Sequence, residues 1–313
     1  MFIKQADFMT RVPPELWKEI FESVCVGGNL FGLEFITPPS PQATLRLQLA
    51  HVRPALFLSS VCKHWRTIAL STPILWSNFK VFCSPHFVDF RLMDLAIQRS
   101  QTQPLTITIH GSFPCPNSTR PFRHLVTTSA RWINFHFLGD GMQPDSPGYV
   151  ELKRILFYEI SQVPILRSIG TNTTLLSSNL PWVQSAPKLS SLALIRHDGL
   201  VPKEDYPWER ITQLHLGKRF YSTRAQDVIA GVLLHCANLT KLELRDIFFG
   251  SQTLEPSSPV VLRHLAMLSI IQQERHFIRL LDSVRDEMAL PALVSLELTF
   301  VGSRTSSDEE TVP

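Results

Sequence analysis

Side chains capable of chemistry are plentiful in this chain, so their spacing decides what they can do. Eleven histidines and five cysteines (Cys25, Cys62, Cys83, Cys115 and Cys236) occur in 313 residues. The cysteines are odd in number, widely spaced and without a C-x-x-C pair, which argues against a zinc knuckle or a disulfide framework. His235-Cys236 is the one adjacent His/Cys pair. No H-x-x-x-H helix pattern accompanies it, so a buried helix end is expected there rather than a metal site. Asp89, Asp94, Asp198 and Asp205 have no partner at a spacing that would set a general acid against a general base. No G-x-S-x-G nucleophile turn occurs, and GGNLFG lacks the Gly-Lys-Ser/Thr ending of a phosphate loop. The expectation is a protein with no catalytic residues, no metal and no cofactor. It is read as a binder, not an enzyme.

Binding chemistry has a clearer signature. An L-x-x-L-x-L core recurs at Leu189-Leu192-Leu194, Ile211-Leu214-Leu216, Leu239-Leu242-Leu244, Leu262-Leu265-Met267 and Leu293-Leu296-Leu298. The starts differ by 22, 28, 23 and 31 residues, near the 20–29 of leucine-rich repeats. Weaker copies stand at Trp132-Phe135-Phe137, Leu152-Ile155-Phe157 and Leu166-Ile169. Alternate strand residues point to opposite faces. Gln213, His215, Lys241, Glu243, Arg245, His264, Ser295 and Glu297 should therefore share one outward, concave face, the candidate substrate surface. Phe248-Phe249 and Phe220-Tyr221 are either partner anchors or packing in the returns between repeats. Ala225 to Cys236 reads as such a return.

The elements that would carry a second surface lie at the amino end. Pro13-Pro14 suits a first helical turn, and Glu15 adds charge where the dipole favours it. Leu16, Trp17, Ile20, Phe21 and Val24 then form a wide apolar stripe, ending at Gly27-Gly28. After a loop containing TPPSP, one helix is expected from near Pro54 to Ser71, with Leu58, Val61, Trp65, Ile68 and Ala69 on its apolar face. Ser71-Thr72-Pro73 stops it, and Ile74-Leu75-Trp76 adds a compact apolar turn. The bundle has more apolar side chains than it can hide alone.

Composition bounds the class. Hydrophobic residues make up 44% and charged ones 18%, which excludes a largely disordered chain. Mean hydropathy is only +0.05, and no uninterrupted apolar run suggests a membrane span. The first residues carry no basic-then-apolar leader pattern, so cytosol or nucleus is expected and the sequons at Asn117 and Asn172 should be idle. Net charge is +3. Residues 11–80 hold seven basic and four acidic side chains, the first ten one of each, and the remainder 22 of each. The repeats carry no excess, so no nucleic-acid partner is expected.

VPPELWKEIFESV followed by LSSVCKHWRTIALSTPILW resembles an F-box. The matching residues are Pro13, Pro14, Glu15, Leu16, Ile20, Phe21, Leu58, Val61, Cys62, Lys63, Trp65, Ile68, Ala69, Pro73, Leu75 and Trp76. Val12 replaces the usual leucine, and the loop from Gly27 to Arg53 is longer than in a compact F-box. The ALSTPILW ending is most similar to the F-box-like group of mushroom-forming fungi, which often precedes irregular leucine-rich repeats. The resemblance covers residues 12–76; with the leucine spacing and the polar, acidic tail it gives an α+β chain: an F-box-like helical bundle at 10–80, a connecting segment at 81–104, a degenerate leucine-rich-repeat solenoid at 105–300 and a disordered acidic tail at 301–313. It also implies a substrate receptor of a cullin-RING (SCF-type) ubiquitin ligase. Pro13, Pro14, Leu16, Ile20, Phe21, Val24, Leu58, Val61, Cys62, Trp65, Ile68, Leu75 and Trp76 would meet a Skp-type adaptor, which brings the cullin and RING subunits, and the repeats would hold an unknown protein substrate. The alternative is a repeat protein whose F-box binds the adaptor without any role in ubiquitination.

Overall fold

The computed structural model describes residues 12–26, 53–83, 90–111, 120–138, 147–171, 180–195, 206–217, 232–245, 260–273 and 288–301. It is a mixed helix and strand protein with extensive parallel sheet. The chain divides into two compact units, Met1–Ile165 and Leu166–Pro313.

In the first unit, α1 spans Pro14–Val26. The Pro13 carbonyl accepts from the Leu16 and Trp17 amides at 3.1 and 3.3 Å, satisfying two of the free N–H groups of the first turn. The expected second helix is two helices, α2 at Arg53–Val61 and α3 at Lys63–Leu70. Cys62 breaks them: its backbone is extended, and its thiol caps α3 by accepting from the Trp65 amide at 3.4 Å. The last carbonyls of α2 are drawn off by side chains. Ser59 and Ser60 hydroxyls donate to the Leu56 and Phe57 carbonyls, and Arg66 Nε donates to the Ser59 carbonyl at 2.8 Å. Such local bonds compete with helix continuation. Periodicity alone carries no sign of that competition.

Trp17, Phe21, Ala55, Leu58, Ile68, Ala69, Leu75 and Trp76 form the core of this bundle. Trp65 lies 5.0 Å, centroid to centroid, from both Trp17 and Phe21. Trp76, in a 3-10 turn at Pro73–Trp76, is buried and donates from Nε1 to the Ala69 carbonyl at 2.8 Å.

The turn feeds directly into β1, Asn78–Cys83, which runs across the expected bundle boundary. α4, Phe90–Arg99, occupies what was expected to be a connecting segment. β2 (Leu105–Gly111), α5 (Arg120–Val126), β3 (Trp132–Leu138) and α6 (Pro147–Tyr158) follow. The three strands are parallel, with Phe79, Ile107 and Phe135 in one row and Val81, Ile109 and Phe137 in the next, all buried. Trp132-Phe135-Phe137 is thus a strand triad. Leu152-Ile155-Phe157 is not: it lies on α6, which buries Tyr149, Leu152, Ile155 and Leu156. That spacing of three and four is helical.

The second unit holds six parallel strands that neighbour one another in chain order: β4 (Ser168–Thr171), β5 (Ser191–Ile195), β6 (Gln213–Gly217), β7 (Lys241–Arg245), β9 (Met267–Gln273) and β11 (Ser295–Val301). A short helix α7, Pro181–Gln184, precedes β5. Two-residue strands β8 (Val260–Val261) and β10 (Met288–Ala289) pair separately. Leu192, Leu214, Leu242, Leu268 and Leu296 form one row, and Leu194, Leu216, Leu244, Ile270 and Leu298 the next.

This register corrects the fourth triad, which is Leu265-Leu268-Ile270 and not Leu262-Leu265-Met267. The leading residue of each triad closes a turn onto the carbonyl three residues earlier: Leu189 onto Ala186, Ile211 onto Trp208, Leu239 onto Cys236, Leu265 onto Leu262 and Leu293 onto Leu290. Leu262 is therefore the equivalent of Cys236. Both are buried and apolar, so the pattern read one turn early. With the frame corrected, the triads from Leu189 onward start 22, 28, 26 and 28 residues apart.

The frame has a direct test. Leu268→Ala is expected to cost about 2–5 kcal/mol, as buried leucines do, whereas half-buried Met267→Ala should cost under about 1 kcal/mol. Urea unfolding followed by circular dichroism measures both. The opposite order would restore the frame beginning at Leu262.

Candidate protein-docking surfaces

On α1 the apolar stripe is wider than the bundle can cover. Trp17 and Phe21, one turn apart, point inward and are buried, while Leu16 and Ile20, also one turn apart, face outward. The same division recurs on α2, where Ala55 and Leu58 are buried and Phe57 and Val61 face out. Leu16, Ile20, Phe57 and Val61 are 45% to 68% exposed. Two helices of one small bundle each present an apolar pair to solvent while their opposite faces are sealed.

The residues expected to meet a partner therefore separate into groups. Leu16, Ile20 and Val61 are exposed, and Pro13 and Pro14 are exposed where α1 begins. Cys62 and Trp65 are half-buried. Phe21, Leu58, Ile68, Leu75 and Trp76 are placed inside the bundle, not on its surface. Their burial fixes the helices so that the exposed pairs point outward. Val24 lies on α1, with its side chain outside the described residues. Phe57 is not among the expected contacts, because on a single continuous helix it falls at the margin of the apolar face. Its spacing of four from Val61 was the available signal.

The strand face of the second unit is less open than expected. Gln213, His215, Lys241, Glu243, Arg245 and Ser295 are half-buried, and Glu297 is exposed. The register sets Gln213 beside Lys241, and His215 beside Glu243, which in turn neighbours Ser269. His264 does not share this face. It lies in the turn before β9, whose outward positions are Met267, Ser269 and Ile271. That follows from the corrected frame. Phe220-Tyr221 and Phe248-Phe249 lie outside the described residues.

Charge on this face is internally matched. His215 Nδ1 lies 3.0 Å from Glu243 Oε2, and Arg245 Nη2 lies 3.4 Å from Glu243 Oε1. Burial of Glu243 opposes its charge, but the hydrogen bond and charge of His215, with Arg245 and Lys241 nearby, outweigh it and hold the carboxyl below its usual 4.5. A carboxyl lowered on folding contributes stability that is present above about pH 4.5 and lost as the pH falls through its folded value. Wild-type protein is thus expected to melt above Glu243→Gln at neutral pH, with the difference shrinking as the pH falls below 4.5 and through the lowered folded value. Thermal melts across that range measure it; a constant gap would show that Glu243 stabilises by shape alone.

Among the described residues, the titratable candidates read from the sequence outside this face stand apart from one another. His235 is exposed, while Cys236 is buried, and burial pushes its thiol up to about 12, away from reactivity. Asp94 pairs with His124 at 2.7 Å on an exposed helix surface. Asp89, Asp198 and Asp205 lie outside the described residues. Among the described residues no group of His, Cys, Asp or Glu is gathered as metal ligands would be, and no described helix is long and apolar enough to cross a membrane. No family model matches the chain, and neither a curated protein nor a solved structure matches it.

Proposed function

We propose that this chain is an F-box-like substrate receptor that docks a Skp-type adaptor through its amino-terminal bundle and presents a protein substrate from stacked, degenerate leucine-rich repeats. The observation that carries the reading is the exposed set Leu16, Ile20, Phe57 and Val61 above a sealed core. Leu16, Ile20 and Val61 also belong to the F-box-like string. Exposed apolar clusters on small soluble bundles are costly to leave in water and mark interaction surfaces. The repeating triads and their parallel register support a solenoid of leucine-rich repeats, in which each repeat buries its leucines against the next.

The chain does no chemistry itself on this reading. Its contribution is proximity: the cullin and RING subunits bring a ubiquitin carrier, and tethering raises the effective concentration of substrate beside it. The half-buried, self-paired strand face around His215 and Glu243 directs substrate toward the exposed positions near Glu297 and toward loops, away from the middle of the sheet. The protein works in the cytosol or nucleus.

Affinity purification from cells followed by mass spectrometry tests the reading, with adaptor, cullin and RING subunits expected together. Reconstituted ubiquitin transfer to a co-purified substrate separates a ligase receptor from an adaptor-binding repeat protein that serves no ubiquitination. Recovery of neither adaptor nor cullin would refute both.

A further inference from the structure

Strand β11 breaks the pattern of its neighbours. Leu296 and Leu298 stand in register with Leu268 and Ile270, which are fully buried, yet Leu296, Leu298 and Phe300 are 39% to 56% exposed. β11 pairs with β9 along one edge and is the last strand of its sheet among the described residues. Its sequence, SLELTFV, contains no proline, lysine or glycine. Proline and lysine are among the devices that normally protect a long edge strand from pairing with another chain, and Glu297 is the one charge this strand carries.

The backbone fixes which groups are on offer. The Ser295 amide donates to the Ala266 carbonyl of the neighbouring strand. In a parallel pair, alternate residues direct both N–H and C=O to the same side, so Ser295, Glu297, Thr299 and Val301 face β9. Leu296, Leu298 and Phe300 direct theirs to the open edge. The residues with exposed apolar side chains are thus the ones with main-chain groups facing that edge.

We infer that a second copy of this chain occupies the edge, β11 pairing antiparallel with β11 about a two-fold axis through Leu298. This register uses all seven residues of the strand. Leu298 meets Leu298 of the other copy, and Leu296 meets Phe300, each as a hydrogen-bonded pair that exchanges two bonds, about six in all. The apolar faces of the two sheets become continuous. Charge selects the same register: Glu297 falls opposite Thr299, whereas centring the axis on Glu297 would set two carboxylates side by side. The contact is isologous, so it closes at a dimer and leaves neither copy's β11 edge unpaired.

Light scattering of the full chain tests this. The mass should rise from 35.6 kDa toward roughly twice that value at tens of micromolar protein, and Leu298→Lys, which sets two cations on the axis, should return it to a monomer. Directly opposed residues of such a pair stand about 5.5 Å apart at Cα, within disulfide reach. Mild oxidation should therefore cross-link Leu298→Cys into a covalent dimer but not Thr299→Cys, with the wild-type chain as the control for its own thiols. A wild-type chain that stays monomeric would overturn the inference, as would equal cross-linking of the two variants. So would a monomer whose β11 amides are protected from exchange, since a segment of the same chain would then cover the strand.

Discussion

Replacing Leu16 and Ile20 together by aspartate is expected to abolish retention of a Skp-type adaptor while leaving the protein folded. Both side chains face solvent, so the folded state loses little from their removal, within about 0.5 kcal/mol for each surface substitution. Leu16 also sits in the first turn of α1, where the helix dipole favours a negative charge. The complex loses far more. Truncating a well-packed interface anchor costs about 2 kcal/mol or more, and burying a carboxylate in its place costs further. Two such changes weaken binding by at least about a thousandfold, using 1.4 kcal/mol per tenfold. Titration calorimetry against purified adaptor, with circular dichroism as the folding control, measures the two effects separately. Undiminished binding by a folded double variant would remove α1 from the docking surface.

Trp76→Ala is expected to do the reverse, unfolding the bundle without touching its exposed pairs. The indole is buried among Leu75, Ile68 and their neighbours and donates to the Ala69 carbonyl. Losing so large a core side chain costs about 3–5 kcal/mol, against total stabilities of about 5–15 kcal/mol for a domain. The residue also leads directly into β1, where Phe79 and Val81 are buried three and five positions later. Damage should therefore reach the strands of the first unit. Trp76→Phe, which keeps most of the volume but loses the N–H donor, should cost only about 1–3 kcal/mol. A melting temperature unchanged in Trp76→Ala would contradict the packing described here.

The contrast between these variants shows how far the amino-acid pattern reaches. The stripe on α1 could be read directly, because Leu16, Trp17, Ile20 and Phe21 are apolar at helical spacing. Which half would be covered could not, because that depends on where α2 and α3 pack. The interruption at Cys62 was hidden for a related reason: serine hydroxyls and a thiol cap act through backbone bonds that leave the apolar periodicity intact. The leucine triads of the second unit were legible because they pair in register with one another. The slip at Leu262 arose because the turn before each strand also buries an apolar residue.

Strands β1 and β2 escaped notice for the opposite reason. Phe79, Val81, Ile107 and Ile109 alternate as strand residues do, but Trp76, which would lead the first triad, also completes the bundle, and the register slips between Leu105 and Thr106. The link from His215 to Glu243 spans 28 residues of sequence and exists only because β6 and β7 pair. Electrostatics of that kind follows from topology, which local patterns do not carry.

Hydrogen exchange of the full chain, alone and with saturating purified Skp-type adaptor, tests the central claim most directly, since the claim is that apolar pairs on α1 and α2 are finished by another polypeptide. Slowed exchange is expected in the amides of residues 14–26 and 53–61, with those of the second unit unchanged. Exchange in both helices unaltered by the adaptor would contradict it.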